Sequence, residues 1–253
     1  MEIHPNSKAI GTDPCRTLVF DLLHTAYLGV INTFCRMVFW KMLLAGAWCG
    51  GGSSTQAEII EVSLQVFLNA IKAWYKNRAR THPWEVLTRI SDMTKKMVGE
   101  ATRQKLGTKG AETWGVLLFL TDELGFHLEK LGEDGDRLHE AARCLVAMIQ
   151  EFNSNGIRMS QESRDSCWLS YMRFCDLTKQ DPDQLIPKRH LMLHVLRGID
   201  MQGNPRFYSA WQDESNNKIL KKCCRQVSQA TFELSVLSSM KRIMAQLQRK
   251  RRI

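Results

Sequence analysis

Several things are missing from this chain of 253 residues, and each absence removes a class of chemistry. None of the eight cysteines, at positions 15, 35, 49, 144, 167, 175, 223 and 224, forms a Cys-x-x-Cys pair, so neither a zinc knuckle nor a disulfide framework is indicated. No HExxH, P-loop, GxGxxG or GxSxG occurs. The longest apolar stretch, residues 26–49, is broken by Asn32, Arg36 and Lys41, which argues against a membrane span. The first residues, MEIHPNSKAIGTD, are polar and do not read as a signal peptide. With 6 prolines and 16 glycines, the chain lacks the composition of a disordered segment, and no internal repeat is visible.

An ordinary apolar fraction, 44%, remains, enough for a sizeable core in one large domain or two small ones. Most cysteines lie among apolar residues at helical spacing, where they act as small hydrophobes and imply an intracellular, reducing setting. The net charge of +9 is unevenly placed. From Lys218 to Ile253 there are ten Lys or Arg and one acid, Glu233, whereas the rest of the chain holds 25 of each sign. A neutral body with a basic terminal segment suits a polyanion or an acidic partner, and equally a solvated helix face with a frayed tail, QRKRRI. On composition alone that tail also reads as a nuclear address.

Periodicity predicts a mostly helical chain. Residues 1–14 read as loop, and 15–21, CRTLVFD, as a short buried strand ending in Asp21. A buried helix follows from Leu22 to about Ala47, then a Gly/Ser break over 48–56. Helices are expected at 55–80 with Thr55 as cap, 84–96, 111–131, 137–152, 160–177 and 187–200, with loops at 132–136 and 153–156. RFYSAW, 206–211, reads as extended, and one last helix runs from about Asp213 to Arg249 along a seam of Ile219, Cys223, Val227, Ala230, Leu234, Leu237, Met240, Met244 and Leu247. A lone strand cannot satisfy its own backbone, so either it pairs with strands of another chain or it is not a strand.

Asp21 and Glu214 share a context: each follows an apolar or aromatic segment and opens a helix. Carboxylates so placed suit a hard divalent cation, but on composition alone they are foremost ordinary first-turn residues that favour the positive end of the helix dipole. His24 lies one turn beyond Asp21 on the same face. His190 and His194 form an i, i+4 pair; a metal-binding HxxxH needs a third ligand, and packing or hydrogen bonding is the expected role.

These stretches together carry a resemblance. Asp21-Leu22-Leu23-His24 followed by Tyr27-Leu28-Gly29-Val30 resembles the D-x-M-H-x-x-x-L-G-V element of large eukaryotic DNA transposases of the DD(E/D) group, of the CACTA-like and related kind, which have an RNase H-like core. KGAETWGVLLFL, 109–120, resembles their K-G-x-E-x-R helix, and PKRHLMLHVLRGIDMQGNPRFYSAWQDESNNKILK, 187–221, is similar to their P-K-x-H-x-x-x-H…G-x-p…E-x-x-N…K element. The matches follow the family's order over most of the chain. Leu23 stands for the family's Met and Trp114 for its Arg.

The resemblance implies a mostly α protein in which a partial RNase H-like α/β core, with one or two strands present, is interrupted by a large all-helical insertion. Residues 1–54 would be part of the core, 55–185 the insertion, and 186–253 the return to the core with the Glu214 helix and basic tail. Asp21 would be the second catalytic acid, Glu214 the third, and His24 a support for the Asp21 end. Asp21 and Glu214 would hold Mg²⁺ or Mn²⁺ for DNA cleavage and strand transfer. Lys218, Lys221, Lys222 and Arg225 would contact DNA phosphates. The twenty residues before Asp21 are too few for the first strands and first acid. The chain is thus expected to be a transposase fragment, inactive alone or completed by an N-terminal chain or a second copy. The other expectations are a non-catalytic helical module that binds nucleic acid or acidic partners through the basic terminal helix, and a metal-binding regulator using His190, His194 and nearby acids.

Overall fold

The architecture follows from one long apolar helix and the elements that cover it. The structure, a computed structural model, describes residues 19–48, 55–99, 106–227 and 231–250; the side chains of 56, 212, 213, 215, 216, 218 and 244–250 are left out of the description. Two packing units are present, Met1–Tyr208 and Ser209–Ile253.

In the first unit, a π-helical segment α1 (Leu23–Val30) leads directly into α2 (Ile31–Leu44). Almost every residue of this pair is buried, as its nearly all-round apolar pattern requires. α3 (Gln56–Thr81) opens on a capping box, with Thr55 accepting from the Glu58 N–H and Glu58 accepting from the Thr55 N–H. After the one-turn α4 (Lys95–Val98) come α5 (Gly110–Phe126), the short α6 (Leu128–Leu131), and the antiparallel pair α7 (Glu133–Ser154) and α8 (Gln161–Leu177). α9 (Pro187–Gln202) closes the unit against α1, with Pro at its first position, where no N–H is needed. α5 packs on α2 and α7, and an aromatic cluster of Phe39, Trp48, Phe67 and Phe119, with ring centroids 5.0–5.3 Å apart, ties α2 and α3 to α5.

The three residues that interrupt the apolar run are its polar anchors. Asn32, 1% exposed, donates to the Leu106 carbonyl at 3.2 Å and Thr108 Oγ1 at 3.0 Å and accepts from the Leu106 N–H at 2.8 Å. Arg36, equally buried, donates from Nε to the Val98 carbonyl at 3.3 Å, beside Trp40 Nε1 at 3.2 Å. Lys41 pairs with Asp134 at 2.5 Å and Asp181 at 3.4 Å, and Arg137 bridges the same two carboxylates. Asn204, also 1% exposed, donates from its amide to the Phe152, Asn155 and Gly156 carbonyls at 2.9–3.2 Å, satisfying the C-terminal end of α7.

The second unit consists of α10 (Trp211–Gln226) and α11 (Phe232–Lys250), packed against each other. Among the described residues no helix is long and apolar enough to cross a membrane.

The protein is mostly α, as expected, but several local expectations are corrected. No strand occurs among the described residues. Val19–Asp21 is irregular, with Val19 and Phe20 exposed, because no neighbouring strand offers backbone groups to pair with; residues 15–18 lie outside the description, as do the loop at 1–14 and positions 49–54 of the Gly/Ser break. RFYSAW is not extended: Asn204 accepts from the Arg206 N–H and opens a 3₁₀ turn at Pro205–Phe207, and α10 begins at Trp211. Of the expected 84–96 helix only Lys95 and Lys96 are helical, in the one-turn α4, since Val86, Thr88, Ile90 and Thr94 disfavour helix and the irregular segment buries Ile90 and Met93 instead. GEDGD is a helix start rather than a loop: Gly132 turns the chain at φ 57°, and Glu133, Asp134 and Asp136 fill the favourable first turn of α7. The long terminal helix breaks at the extended Val227, which resets the helical face, so Val236 is buried while Leu234 and Leu237 of the expected seam are exposed.

Two outcomes follow. Asn204→Ala leaves buried carbonyls of α7 unpaired and should lower stability by about 1–3 kcal/mol in urea unfolding. Burial works to raise the Asp134 carboxyl, but its hydrogen bonds from Lys41 and Arg137 outweigh this and hold it below its usual value. Its contribution is therefore complete above the unfolded-state value of about 3.9 and lost as pH falls through the lowered folded value. In Asp134→Asn the acid loss of stability should be shallower, which thermal melts across pH 2–5 would read out.

Candidate functional site

The first motif of the sequence folds as the start of α1. Asp21 Oδ2 accepts from the His24 N–H at 2.8 Å and lies 2.5 Å from His24 Nδ1, and Oδ1 accepts from the Leu23 N–H at 3.3 Å. Its carbonyl accepts from the Thr25 N–H at 3.0 Å. The carboxylate thus faces the positive end of a helix and satisfies donors that the helix cannot satisfy itself. This explains why an acid ends the apolar run Leu18-Val19-Phe20, and it brings Asp21 and His24 together.

The C-terminal part of the same motif meets the third motif. Lys188, the second residue of α9, crosses α1 and donates from Nζ to the His24 carbonyl at 2.6 Å and the Leu28 carbonyl at 3.3 Å. Gly29 makes that crossing possible: a Cβ there would stand 2.6 Å from Lys188 Cδ, 3.2 Å from its Cβ and 3.0 Å from the His24 carbonyl oxygen. The next residue, Arg189, turns the other way, donating to the Cys175 and Thr178 carbonyls at the end of α8, while Tyr171 OH donates to the Arg189 carbonyl at 2.7 Å. His190, the next residue, and His194, one turn on, place their Nε2 atoms 3.0 Å apart, and His194 stacks on Phe20 with ring centroids at 5.3 Å. The hydrogen bonding expected for the histidine pair is present. The sequence signal for Lys188 and Arg189 is a pair of adjacent cations in the first turn of α9.

The second motif caps α5. Glu112 accepts from the Lys109 N–H at 2.8 Å and from Lys109 Nζ at 3.0 Å, and Thr108 Oγ1 meets Thr113 Oγ1 at 2.9 Å under Asn32.

Glu214 lies in the second unit, exposed in the first turn of α10, its N–H donating to the Ala210 carbonyl at 2.9 Å. Lys221, Lys222 and Arg225 are exposed on the same helix at i, i+1 and i+4 and line one concavity with Gln226. The Lys218 side chain is outside the description. Among the described residues, no three His, Cys, Asp or Glu side chains gather to hold a metal ion. Both oxygens of Asp21 accept from Leu23 and His24 and keep further lone pairs.

Burial sets Tyr27, Cys35 and Cys167 against ionisation near neutral pH. Burial pushes the Tyr27 phenol up to about 12, with Arg206 opposing, and the Cys167 thiol also up to about 12; it pushes Cys35 up as well. None of these supplies a phenolate or thiolate at pH 7. The six cysteines among the described residues are all unpaired.

Compared with protein-family models, with curated protein sequences and with solved structures, the chain matches none.

The Gly29–Lys188 crossing predicts a coupled pair. Gly29→Ala should destabilise by about 1–3 kcal/mol through overpacking. In a Lys188→Ala background the 2.6 Å contact with Lys188 Cδ is gone while those with the Cβ of residue 188 and the His24 carbonyl oxygen stay, so the same change should cost less but not nothing, a coupling of about 0.5–3 kcal/mol in a double-mutant cycle.

Proposed function

We propose that this chain is the C-terminal part of a transposon-derived DD(E/D) transposase and acts as a helical nucleic-acid-binding module that neither cuts nor joins DNA alone. The observation that carries the binding reading is the exposed set Lys221, Lys222 and Arg225 on one face of α10, within a terminal segment that holds the whole net charge of the chain. Three cations spaced along about one helical turn suit successive phosphates of a nucleic-acid backbone, contacts that carry no sequence information themselves.

Support for the ancestry is that residues of separate motifs meet: Gly29 of the first lies against Lys188 of the third, and Phe20, just before the first, stacks on His194 of the third. Residues chosen for their likeness to one family thus also bear on one another in space. In this reading an RNase H-like core, with the Mg²⁺ or Mn²⁺ it implies, takes its strands and first acid from outside the described residues, whether from an N-terminal chain or a second copy. The part described here is the helical portion of that ancestor, in the nucleus and on DNA.

The test is fluorescence anisotropy of a labelled duplex over a salt series. Substituting Lys221, Lys222 and Arg225 together by Ala should weaken binding and reduce the salt slope by about 2–3. An unchanged slope removes α10 from the binding surface, and tight binding only to acidic proteins replaces nucleic acid with a protein partner. Mg²⁺-dependent cleavage by the pure chain, abolished in Glu214→Ala, would overturn the non-catalytic half of the reading.

A further inference from the structure

The nucleic-acid reading leaves the histidine pair of α9 unused, and that pair has a geometry of its own. We propose that His190 and His194 form a two-imidazole chelate for a divalent transition-metal ion of the Ni²⁺, Cu²⁺ or Zn²⁺ class, with water standing where a permanent HxxxH site has its third protein ligand, which is absent among the described residues. Two imidazole nitrogens bound at about 2.0–2.1 Å to one ion lie about 2.9 Å apart at a right angle, and about 3.4 Å apart in a tetrahedron. The two Nε2 atoms stand 3.0 Å apart, inside that range and close to the right-angle value suited to a square-planar or octahedral ion.

Three further features make this a prepared pair. Both side chains are exposed, so an ion reaches them from solvent without opening the core. Phe20 stacks on His194 at an interplanar angle of 28° and limits the rotation of that ring. The helix beneath is fixed on both sides of its first turn, by Lys188 on the α1 carbonyls and by Arg189 on the end of α8, so the two rings project from a rigid segment. Cost of ordering is therefore small when the ion binds.

The proton balance is simple. In the neutral hydrogen-bonded pair one ring carries its proton on Nε2 and donates it to the other. Metal binding needs both Nε2 lone pairs, so that ring moves its single proton to Nδ1. Two neutral imidazoles enter and two neutral imidazoles ligate, with no proton released.

Ni²⁺ is the probe of choice, because nitrogen donors suit it. Calorimetric titration of the full chain should give one Ni²⁺ site, and His190→Gln or His194→Gln should each weaken it about tenfold or more. Both positions are exposed, so folding is checked by circular dichroism. A second measurement needs no substitution: carbethoxylation of histidines, read by mass spectrometry, should be suppressed by Ni²⁺ at His190 and His194 and unchanged at His82 and His139. Absence of a stoichiometric site overturns the proposal, as does affinity unchanged in both variants or equal modification of all histidines with and without the ion.

Discussion

The helix running through α1 and α2 must satisfy polar side chains inside its own core, and the first unit is arranged around that requirement. A buried amide or guanidinium without partners costs more than most single packing contacts return. Asn32, Arg36 and Lys41 therefore decide what covers α2. Asn32 takes the backbone just before α5, Arg36 takes the end of α4, and Lys41 draws in α7 and the Asp181–Pro182 turn through a four-membered charge network. Apolar packing supplies most of the stabilisation, but it is indifferent to register; these three polar contacts are not.

Helix ends follow the same logic. Asp21, Thr55, Glu112, Ser160 and Asn204 each meet backbone groups that a helix leaves unpaired, and together they set where elements begin and stop. Arg189 and Lys188 do the equivalent for carbonyls of α8 and α1. Motif residues that look chemical in one dimension are here also architectural. Asp21 serves as a cap whatever else it does in a larger assembly.

What could be read from the sequence follows from this. Long periodic segments, the Thr55 cap and the stop at Asn153–Gly156 were legible because they depend on neighbours close in the chain. The mostly helical class was legible for the same reason. The supposed strand was not, since Val19 and Phe20 owe their apolar character to an exposed stretch and a ring stacked on His194, more than 170 positions away in number, not to a sheet. The break at Val227 was hidden because the residues around it continue the helical spacing. At the candidate site, the Asp21–His24 and His190–His194 pairs were visible as i, i+3 and i, i+4 spacings. Lys188 over Gly29 was not, because it joins two segments that meet only in the folded chain.

The π-helical winding of Leu23–Val30 gives the chain a form of insertion arithmetic. A wide turn of this kind holds one residue more than the α-helical turn it replaces, while the helix on either side keeps its course. Removing one residue from it would let the segment relax to ordinary α-helix with the helix on either side still in phase. Asp21 would keep its face relative to α2, and only the residues inside the wide turn would change neighbours. The single surplus residue thus works as slack: Leu23–Val30 can lose one position without turning one end of the helix against the other, so a deletion there stays local.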